Sequence, residues 1–105
     1  MKENYLRRAR RGMRLMTAKK GKGWVDSFDL DTFDVTKPWD CVVGQNYGGQ
    51  SGNYLDGMED LFGRGLHYFD LAMDYGFELP RTASAADWAR LQTVWVNLIK
   101  QARQP

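Results

Sequence analysis

A helix pattern near the C-terminus constrains the fold of this chain more than any other feature. Ser84 stands before it and Asp87 follows three residues later, which is a variant of the capping box that begins helices. Apolar residues then recur every three or four positions and share one helical face: Trp88, Leu91, Val94, Trp95, Leu98, Ile99 and Ala102. A face with two tryptophans has to be buried, so we expect this helix to pack across the others and to organise the core.

Glycines and capping residues divide the rest of the chain into shorter helices. We predict helices over 3–20, 36–47, 53–62 and 66–75, ended by glycines at 21 and 23, 48 and 49, 63, and 76. Thr36 is the predicted N-cap of the second helix, with Pro38 in its first turn, and Ser51 is that of the third. Residues 24–35 are either a short extended segment or a loop that pins aromatic side chains into the core.

These elements predict a compact, single-domain, all-α protein of four to five helices, with a basic N-terminal helix and a Trp-bearing C-terminal helix. The chain has 105 residues, of which 43% are hydrophobic, so it can bury a core without disulfides or metal. The predicted core consists of Trp24, Phe28, Phe33, Trp39, Val42, Leu61, Phe69, Met73, Phe77, Trp88, Leu91, Trp95 and Leu98.

The location predicted from the sequence is the cytoplasm. Cys41 is the single cysteine, so no internal disulfide can form and nothing indicates an oxidising compartment. The basic N-terminus is not followed by the apolar segment of a signal peptide. No apolar run approaches the length needed to cross a bilayer.

The first part of the chain is strongly basic and the remainder is acidic. Residues 1–23 contain nine basic residues and one acidic residue, a net charge of +8. The other residues contain six basic and twelve acidic residues, a net charge of −6. We therefore divide the domain into a basic helix (residues 1–22) and an acidic helical body (residues 23–105). The basic helix is suited to a polyanionic partner, and equally to lying against the acidic body.

Residues 3–20 form an amphipathic pattern whose polar side holds the candidate nucleic-acid-binding residues. Its narrow apolar stripe consists of Tyr5, Leu6, Ala9, Met13 and Met16. The candidates are Arg7, Arg8, Arg10, Arg11, Arg14, Lys19 and Lys20. Arginines on one surface can neutralise phosphates, whose contacts dominate affinity for nucleic acids. A membrane surface is a poorer partner, because the apolar stripe lacks Trp and Phe.

No motif in the sequence supplies catalytic or metal-binding chemistry, so we predict neither enzymatic activity, nor a cofactor, nor a metal. The aspartates between Asp29 and Asp34 fail the calcium-loop pattern, because Phe33 and Asp40 occupy ligand positions 5 and 12. Gly63 and Gly65 begin a dinucleotide fingerprint that lacks its last glycine. Turns and helix ends explain these residues better.

Two reactive side chains have a structural and a chemical interpretation. His67, the single histidine, shares the polar face of its predicted helix with Asp70 and Asp74. We interpret this face as solvated, although an aspartate beside an imidazole can tune its pKa. Cys41 lies among apolar residues, which is typical of a small buried side chain. The alternative is a catalytic pair of Cys41 and His67, which would require both side chains to meet in the fold.

A second candidate surface consists of Tyr47, Gln50 and Tyr54 around the glycines at 48 and 49. Tyrosine gives contact area, and glycine lets a partner approach the backbone closely. This combination is suited to recognition of a protein or a small ligand.

From Lys22 onward the chain resembles a family of small uncharacterised proteins of actinobacteria and their phages. The shared motifs are Gly23-Trp24-Val25-Asp26, residues 29–35, residues 41–48, residues 75–78, and Leu91 with Trp95. The resemblance as a whole covers about three quarters of the chain, which departs from the family pattern at Phe33, Val43 and the glycine-rich residues 49–52. The resemblance implies a phage or prophage accessory protein that acts inside a bacterial host.

These observations predict a non-enzymatic protein that binds a host or phage protein in the cytoplasm of the bacterial cell. The alternative is a nucleic-acid-binding protein that uses the arginine face of the N-terminal helix. The placement of residues 1–20 affects both functions. If this helix packs on the body, its arginines are partly structural, and if it projects, they are available to a partner.

Overall fold

The computed structural model describes residues 4–48, 53–65 and 67–104. Within these ranges the regular structure is helical and contains no strand, which confirms the all-α prediction. Two of the elements are only about one helical turn long. In chain order the elements are α1 (Asn4–Lys20), α2 (Trp24–Ser27), α3 (Val42–Asn46), α4 (Asn53–Phe62), α5 (Tyr68–Asp74) and α6 (Ala85–Arg103).

Helix α6 begins at the predicted capping box and lies at the centre of the core. The Ser84 hydroxyl accepts a hydrogen bond from the Asp87 backbone N–H (3.1 Å), and the Asp87 carboxylate accepts one from the Ser84 N–H (3.0 Å). Trp95 is fully buried. Its Nε1 donates to the Gly76 carbonyl (2.7 Å), and its ring stacks on Phe77 with centroids 5.7 Å apart. The tryptophan face predicted from the sequence therefore joins α6 to the segment that follows α5.

Helix α1 docks on the body through one face and does not project from it. That face consists of Tyr5, Ala9, Gly12 and Met16, all of them buried, and it packs against α6, α4 and α5. Helix α1 and the end of α5 approach each other so closely that each needs a glycine at the contact. A Cβ at Gly12 would lie 2.1 Å from the Tyr75 carbonyl oxygen, and one at Gly76 would lie 2.6 Å from the Ala9 nitrogen. Gly76 also has a φ of +76°, which disfavours other residues.

Of the two alternatives for residues 24–35, the structure shows the loop, preceded by the short helix α2. Phe28, Phe33 and Val35 are buried, so the loop pins its apolar side chains into the core. The side chain of Gln92 in α6 forms backbone hydrogen bonds with this loop, as a neighbouring strand would. Its amide donates to the Phe33 carbonyl (2.7 Å) and accepts from the Val35 N–H (2.8 Å). The Asp29 side chain accepts from the backbone N–H groups of residues 31 and 32, as expected of an aspartate in a turn.

The predicted start of the second helix was wrong. Thr36 does not cap it, because its N–H and hydroxyl both donate to the Asp34 carboxylate, at 2.9 and 2.6 Å. Residues 37–41 form a turn instead, and α3 begins at Val42 with Cys41 as its N-cap. Helix α4 has the predicted bounds, while its predicted cap Ser51 lies outside the described residues.

Helix α5 is shorter than the predicted helix over 66–75. It begins at Tyr68, so His67 is its N-cap residue rather than a member of its polar face, and residue 66 lies outside the described ranges. Gly76 ends the helix as predicted. The Gly76 N–H donates to the Met73 carbonyl (3.1 Å) and the N–H of residue 77 donates to the carbonyl of residue 72 (2.8 Å).

Two predicted core residues are exposed. Trp39 is 49% exposed because it lies in the turn that replaces the first part of the predicted helix. Phe69 is 43% exposed, whereas its neighbour Tyr68 packs against the core and donates to the Gly63 carbonyl (2.7 Å). Met73 and Trp88 are half-buried. The other nine are buried as predicted: Trp24, Phe28, Phe33, Val42, Leu61, Phe77, Leu91, Trp95 and Leu98.

Candidate nucleic-acid interface

The side of α1 that faces away from the body carries four exposed arginines, which we call the arginine ridge: Arg7, Arg10, Arg11 and Arg14. At 3.6 residues per turn, positions 7 and 14 lie directly opposite the buried face. Positions 10 and 11 lie on either side of positions 7 and 14. Arg8 is half-buried beside the docked face. Docking of α1 therefore buries Tyr5, Ala9 and Met16 of the predicted apolar stripe, while Leu6 stays 40% exposed and the ridge is open to solvent.

The positive charge of the arginine ridge has no carboxylate partner in the described part of the chain. The ion pairs found there join Lys37 to Asp34 (4.0 Å) and Arg64 to Glu59 (3.9 Å), and neither involves α1. Arg7 donates to the Asn4 side-chain oxygen at 3.4 Å, which is a neutral acceptor. Within the described residues, the carboxylates of the acidic body form no ion pair with the ridge, although the sequence left that arrangement open.

Arg11 is the ridge residue that the fold holds in place. Its Nη1 donates to the Asp74 backbone carbonyl (3.4 Å), and its guanidinium carbon lies 4.6 Å from the centroid of the Tyr75 ring. Tyr75 in turn packs edge-on against Phe62, with ring centroids 5.1 Å apart. A carbonyl and an aromatic face orient the guanidinium group without cancelling its charge.

Two open grooves flank the arginine ridge. The first, the α1–α6 groove, has a volume of about 330 Å³ and is lined by Arg10, Met13, Arg14, Leu98, Gln101 and Ala102. The second, the Tyr75 groove, has a volume of about 290 Å³ and is lined by Arg11, Arg14, Leu15 and Tyr75. Each groove therefore combines guanidinium groups at its rim with apolar surface.

The α1–α6 groove exists because the two helices lie side by side and run in the same direction. Tyr5 near the start of α1 lies beside Asp87 near the start of α6, and burial and this carboxylate raise the pKa of the Tyr5 hydroxyl. Met13 and Leu98 then line the same groove towards the end of both. The pattern of arginines in α1 predicted the ridge, but the sequence carried no signal for the lining residues on α6 or for Tyr75, since only the tertiary structure brings these elements together.

Lys19 and Lys20 are exposed in the last turn of α1, where cations interact favourably with the helix dipole. Lys20 has a further role in the fold, because its ammonium group lies 4.0 Å from the centroid of the Tyr47 ring. Both lysines thus lie at the C-terminal end of the helix, beyond the four ridge arginines.

The two tyrosines of the second candidate surface have partners within the fold. The half-buried Tyr47 donates its hydroxyl hydrogen bond to the Asp60 carboxylate (2.6 Å). Tyr54, also half-buried, lies beside Glu78, and burial and this carboxylate raise the pKa of its hydroxyl. Gln50 lies outside the described residues, so a surface formed by all three stays a prediction.

Cys41 acts as a helix cap. Its side chain is buried, and Sγ accepts from the Gly44 backbone N–H (3.4 Å) and donates to the Pro38 carbonyl (3.8 Å). Burial raises the pKa of the thiol to about 11, opposite to the change that a nucleophilic thiolate requires. His67 is exposed at the start of α5 and its side chain makes no capping hydrogen bond. Among the described residues, no group of three or more His, Cys, Asp or Glu side chains could hold a metal ion.

Comparison with family models, curated proteins and solved structures finds no match to this chain. The resemblance to small proteins of actinobacteria and their phages therefore stays a prediction. Within the described ranges, none of the helices combines the length and the apolar character that a bilayer-spanning helix needs.

Proposed function

We propose that this protein binds nucleic acid through the arginine ridge. The observation that supports the proposal is that four arginines of one helix are exposed and lack carboxylate partners in the described residues. They span residues 7–14, which is about 10 Å of helix at 1.5 Å per residue. Phosphates are neutralised by such groups, and this electrostatic contribution supplies most of the affinity of non-specific nucleic-acid binding.

Docking of α1 favours the proposal, because it fixes the helix before any ligand arrives. An isolated basic helix would have to fold on binding, and the entropy lost on folding would lower its affinity. Here Tyr5, Ala9 and Met16 are buried against the body, so the guanidinium groups start from a defined backbone.

Nucleic acid is a better partner than an anionic membrane. A helix that lies in a membrane interface buries its apolar face among the lipid acyl chains. Most of the apolar face of α1 is already occupied by the protein core: Ala9 and Met16 have no exposed surface, while Leu6 is 40% exposed. Phosphate groups, in contrast, require only the charged face that α1 leaves open.

The proposal is tested by fluorescence anisotropy of labelled oligonucleotides with the full chain. The variant Arg7→Gln/Arg10→Gln/Arg14→Gln removes three ridge charges. Its matched control, Lys37→Gln/Arg64→Gln/Arg81→Gln, removes three exposed charges from other parts of the chain. Each phosphate contact contributes about 0.7 to the salt slope for a single strand, so three contacts are worth about a hundredfold in affinity at 0.1 M salt relative to 1 M.

We expect the ridge variant to bind about a hundredfold more weakly than the natural chain. The affinity of the control variant should fall by less than about threefold. Equal losses in the two variants would show that binding follows net charge rather than the ridge. The absence of binding by the natural chain, or its binding only to anionic vesicles, would overturn the proposal.

A second candidate function is binding of a host or phage protein in the bacterial cytoplasm, which the sequence favoured. The observation that supports it is the exposure of three large apolar side chains outside α1, Trp39 (49%), Leu55 (54%) and Phe69 (43%). Exposed aromatics are enriched in protein interfaces. A pull-down from host lysate should recover a partner with the natural chain and lose it with Trp39→Ser/Leu55→Ser/Phe69→Ser, provided that the variant keeps its melting temperature. Repeated recovery of no specific partner would contradict this function.

A further inference from the structure

We infer that the ligand of the arginine ridge is a single strand rather than a duplex, with phosphates on the ridge and bases against the two flanking grooves. This inference rests on the proposed function and adds the class of nucleic acid. Single-stranded DNA and RNA share the chemistry in question, a flexible phosphate backbone with accessible bases.

The depth at which α1 is set into the body argues against a duplex read through its major groove. A helix with its side chains is about 10–12 Å wide and the major groove is about 12 Å wide, so a helix that enters it needs its outer face and its flanks free of the rest of the protein. Helix α1 is closely packed on its inner face and on one flank. A Cβ at Gly12 would lie only 2.1 Å from the Tyr75 carbonyl oxygen, and α6 runs alongside α1 on another flank. The ridge can therefore contact phosphates, whereas the elements packed beside α1 hinder its entry into a groove.

Apolar surface within the basic region favours accessible bases. The α1–α6 groove places Met13, Leu98 and Ala102 beside Arg10 and Arg14. A duplex keeps its bases stacked inside and presents phosphates, so it would leave this apolar surface in contact with water. A single strand can turn its bases out and pack them against protein side chains.

The groove also offers polar groups for the edge of a base. The Gln101 side chain lies at the groove and carries both a hydrogen-bond donor and an acceptor. It is exposed, so its amide is accessible from solvent.

The second groove offers a stacking platform. Arg11 is held over the Tyr75 ring by its position 4.6 Å from the centroid and by its hydrogen bond to the Asp74 carbonyl. Bases of single-stranded nucleic acids stack on aromatic rings and on the planes of arginine guanidinium groups. Lysine has no such plane, although it carries the same charge.

The test compares four labelled ligands with the full chain at one salt concentration. They are a thymidine strand of roughly 15 nucleotides, the corresponding RNA strand, a duplex of the same length, and an abasic strand with the same phosphates. We expect both base-containing strands to bind at least about tenfold more tightly than the duplex and the abasic strand, because base stacking contributes about that much per base. An equal affinity of the abasic strand, or a duplex bound as tightly as the single strand, would overturn the inference.

A matched pair of variants locates the base contacts. Arg11→Lys keeps the charge but removes the planar group over Tyr75, whereas Arg14→Lys makes the same exchange at a ridge residue for which no ring contact is found. We expect Arg11→Lys to weaken single-strand binding by about fivefold or more and to leave abasic-strand binding unchanged. Arg14→Lys should affect both ligands alike. The same effect from both variants, or no effect from Arg11→Lys, would contradict the platform.

The two proposals fail in different ways. If no nucleic acid binds, the proposed function itself is wrong. If all four ligands bind equally and the ridge variant reduces binding of each, the ridge is a nucleic-acid site and only the preference for a single strand is wrong.

Discussion

Gly12 lies where α1 comes closest to the rest of the domain, so its replacement tests the docked position of the basic helix. In Gly12→Ala the new Cβ would lie 2.1 Å from the Tyr75 carbonyl oxygen and 3.1 Å from the Phe77 ring. The carbonyl belongs to the backbone at the end of α5, which cannot rotate away as a side chain can. Helix α1 would have to move by about 1 Å, and its packing against Gly76 would be lost.

The expected loss of stability follows from two opposing contributions. Overpacking of a close contact costs up to about 3 kcal/mol, while alanine in place of glycine within a helix contributes about 1 kcal/mol of stability. The net destabilisation is about 2 kcal/mol. For a domain of this size that corresponds to a decrease in melting temperature of roughly 8–16 °C.

Circular dichroism during thermal and urea unfolding measures this change. The matched control is Gly57→Ala in α4, because it makes the same helical exchange but meets side chains instead of backbone. Its Cβ would lie 2.4 Å from Val43 Cγ1 and 2.9 Å from the Tyr47 ring. We expect Gly57→Ala to cost less than half as much as Gly12→Ala. A Gly12→Ala protein as stable as the natural chain, or more stable than Gly57→Ala, would refute the docked position of α1.

Three further predictions concern single side chains. Ser84→Ala removes the cap of α6 and should cost about 1 kcal/mol in urea unfolding; the exposed position Thr93→Ala is the control, and equal effects would contradict the cap. Burial raises the pKa of Glu78 above its ordinary 4.5, so its charged form opposes folding. Glu78→Gln should therefore stabilise the protein at pH 7 and lose that advantage below about pH 4, whereas a constant difference would contradict this. The buried Cys41 thiol, with a pKa near 11, should react with a thiol reagent at pH 8 only after unfolding, and rapid labelling of the native protein would contradict its burial.

The sequence predicts the long helices well because each carries its own local signals. Helix α6 has the Ser84 capping box, and α4 has the predicted bounds because a glycine follows its last residue. The start of α3 could not be predicted in the same way. Thr36 and Pro38 form a good helix start locally, but the Asp34 side chain takes both hydrogen bonds of Thr36 and turns the chain. That competition leaves Trp39 exposed instead of buried.

Of the candidate interface, only the arginines of α1 could be predicted from the sequence. Helical spacing places the arginines on one side of α1, because that depends on the helix alone. The orientation of α1 depends on Gly12 meeting the chain near Tyr75, a contact between residues more than sixty positions apart. For the same reason the apolar lining of the grooves and the platform under Arg11 had no signal in the sequence.

Nucleic acid bound as proposed contacts the outward face of α1, and NMR observation of the arginine side chains shows whether it does. Titration of the full chain with a short single strand should shift the Nε–Hε signals of Arg7, Arg10, Arg11 and Arg14. The signals of Arg64 and Arg81, which lie outside the ridge, should stay in place. Shifts confined to Arg64 and Arg81, or no shift of any arginine at a saturating concentration of the strand, would contradict binding at the arginine ridge.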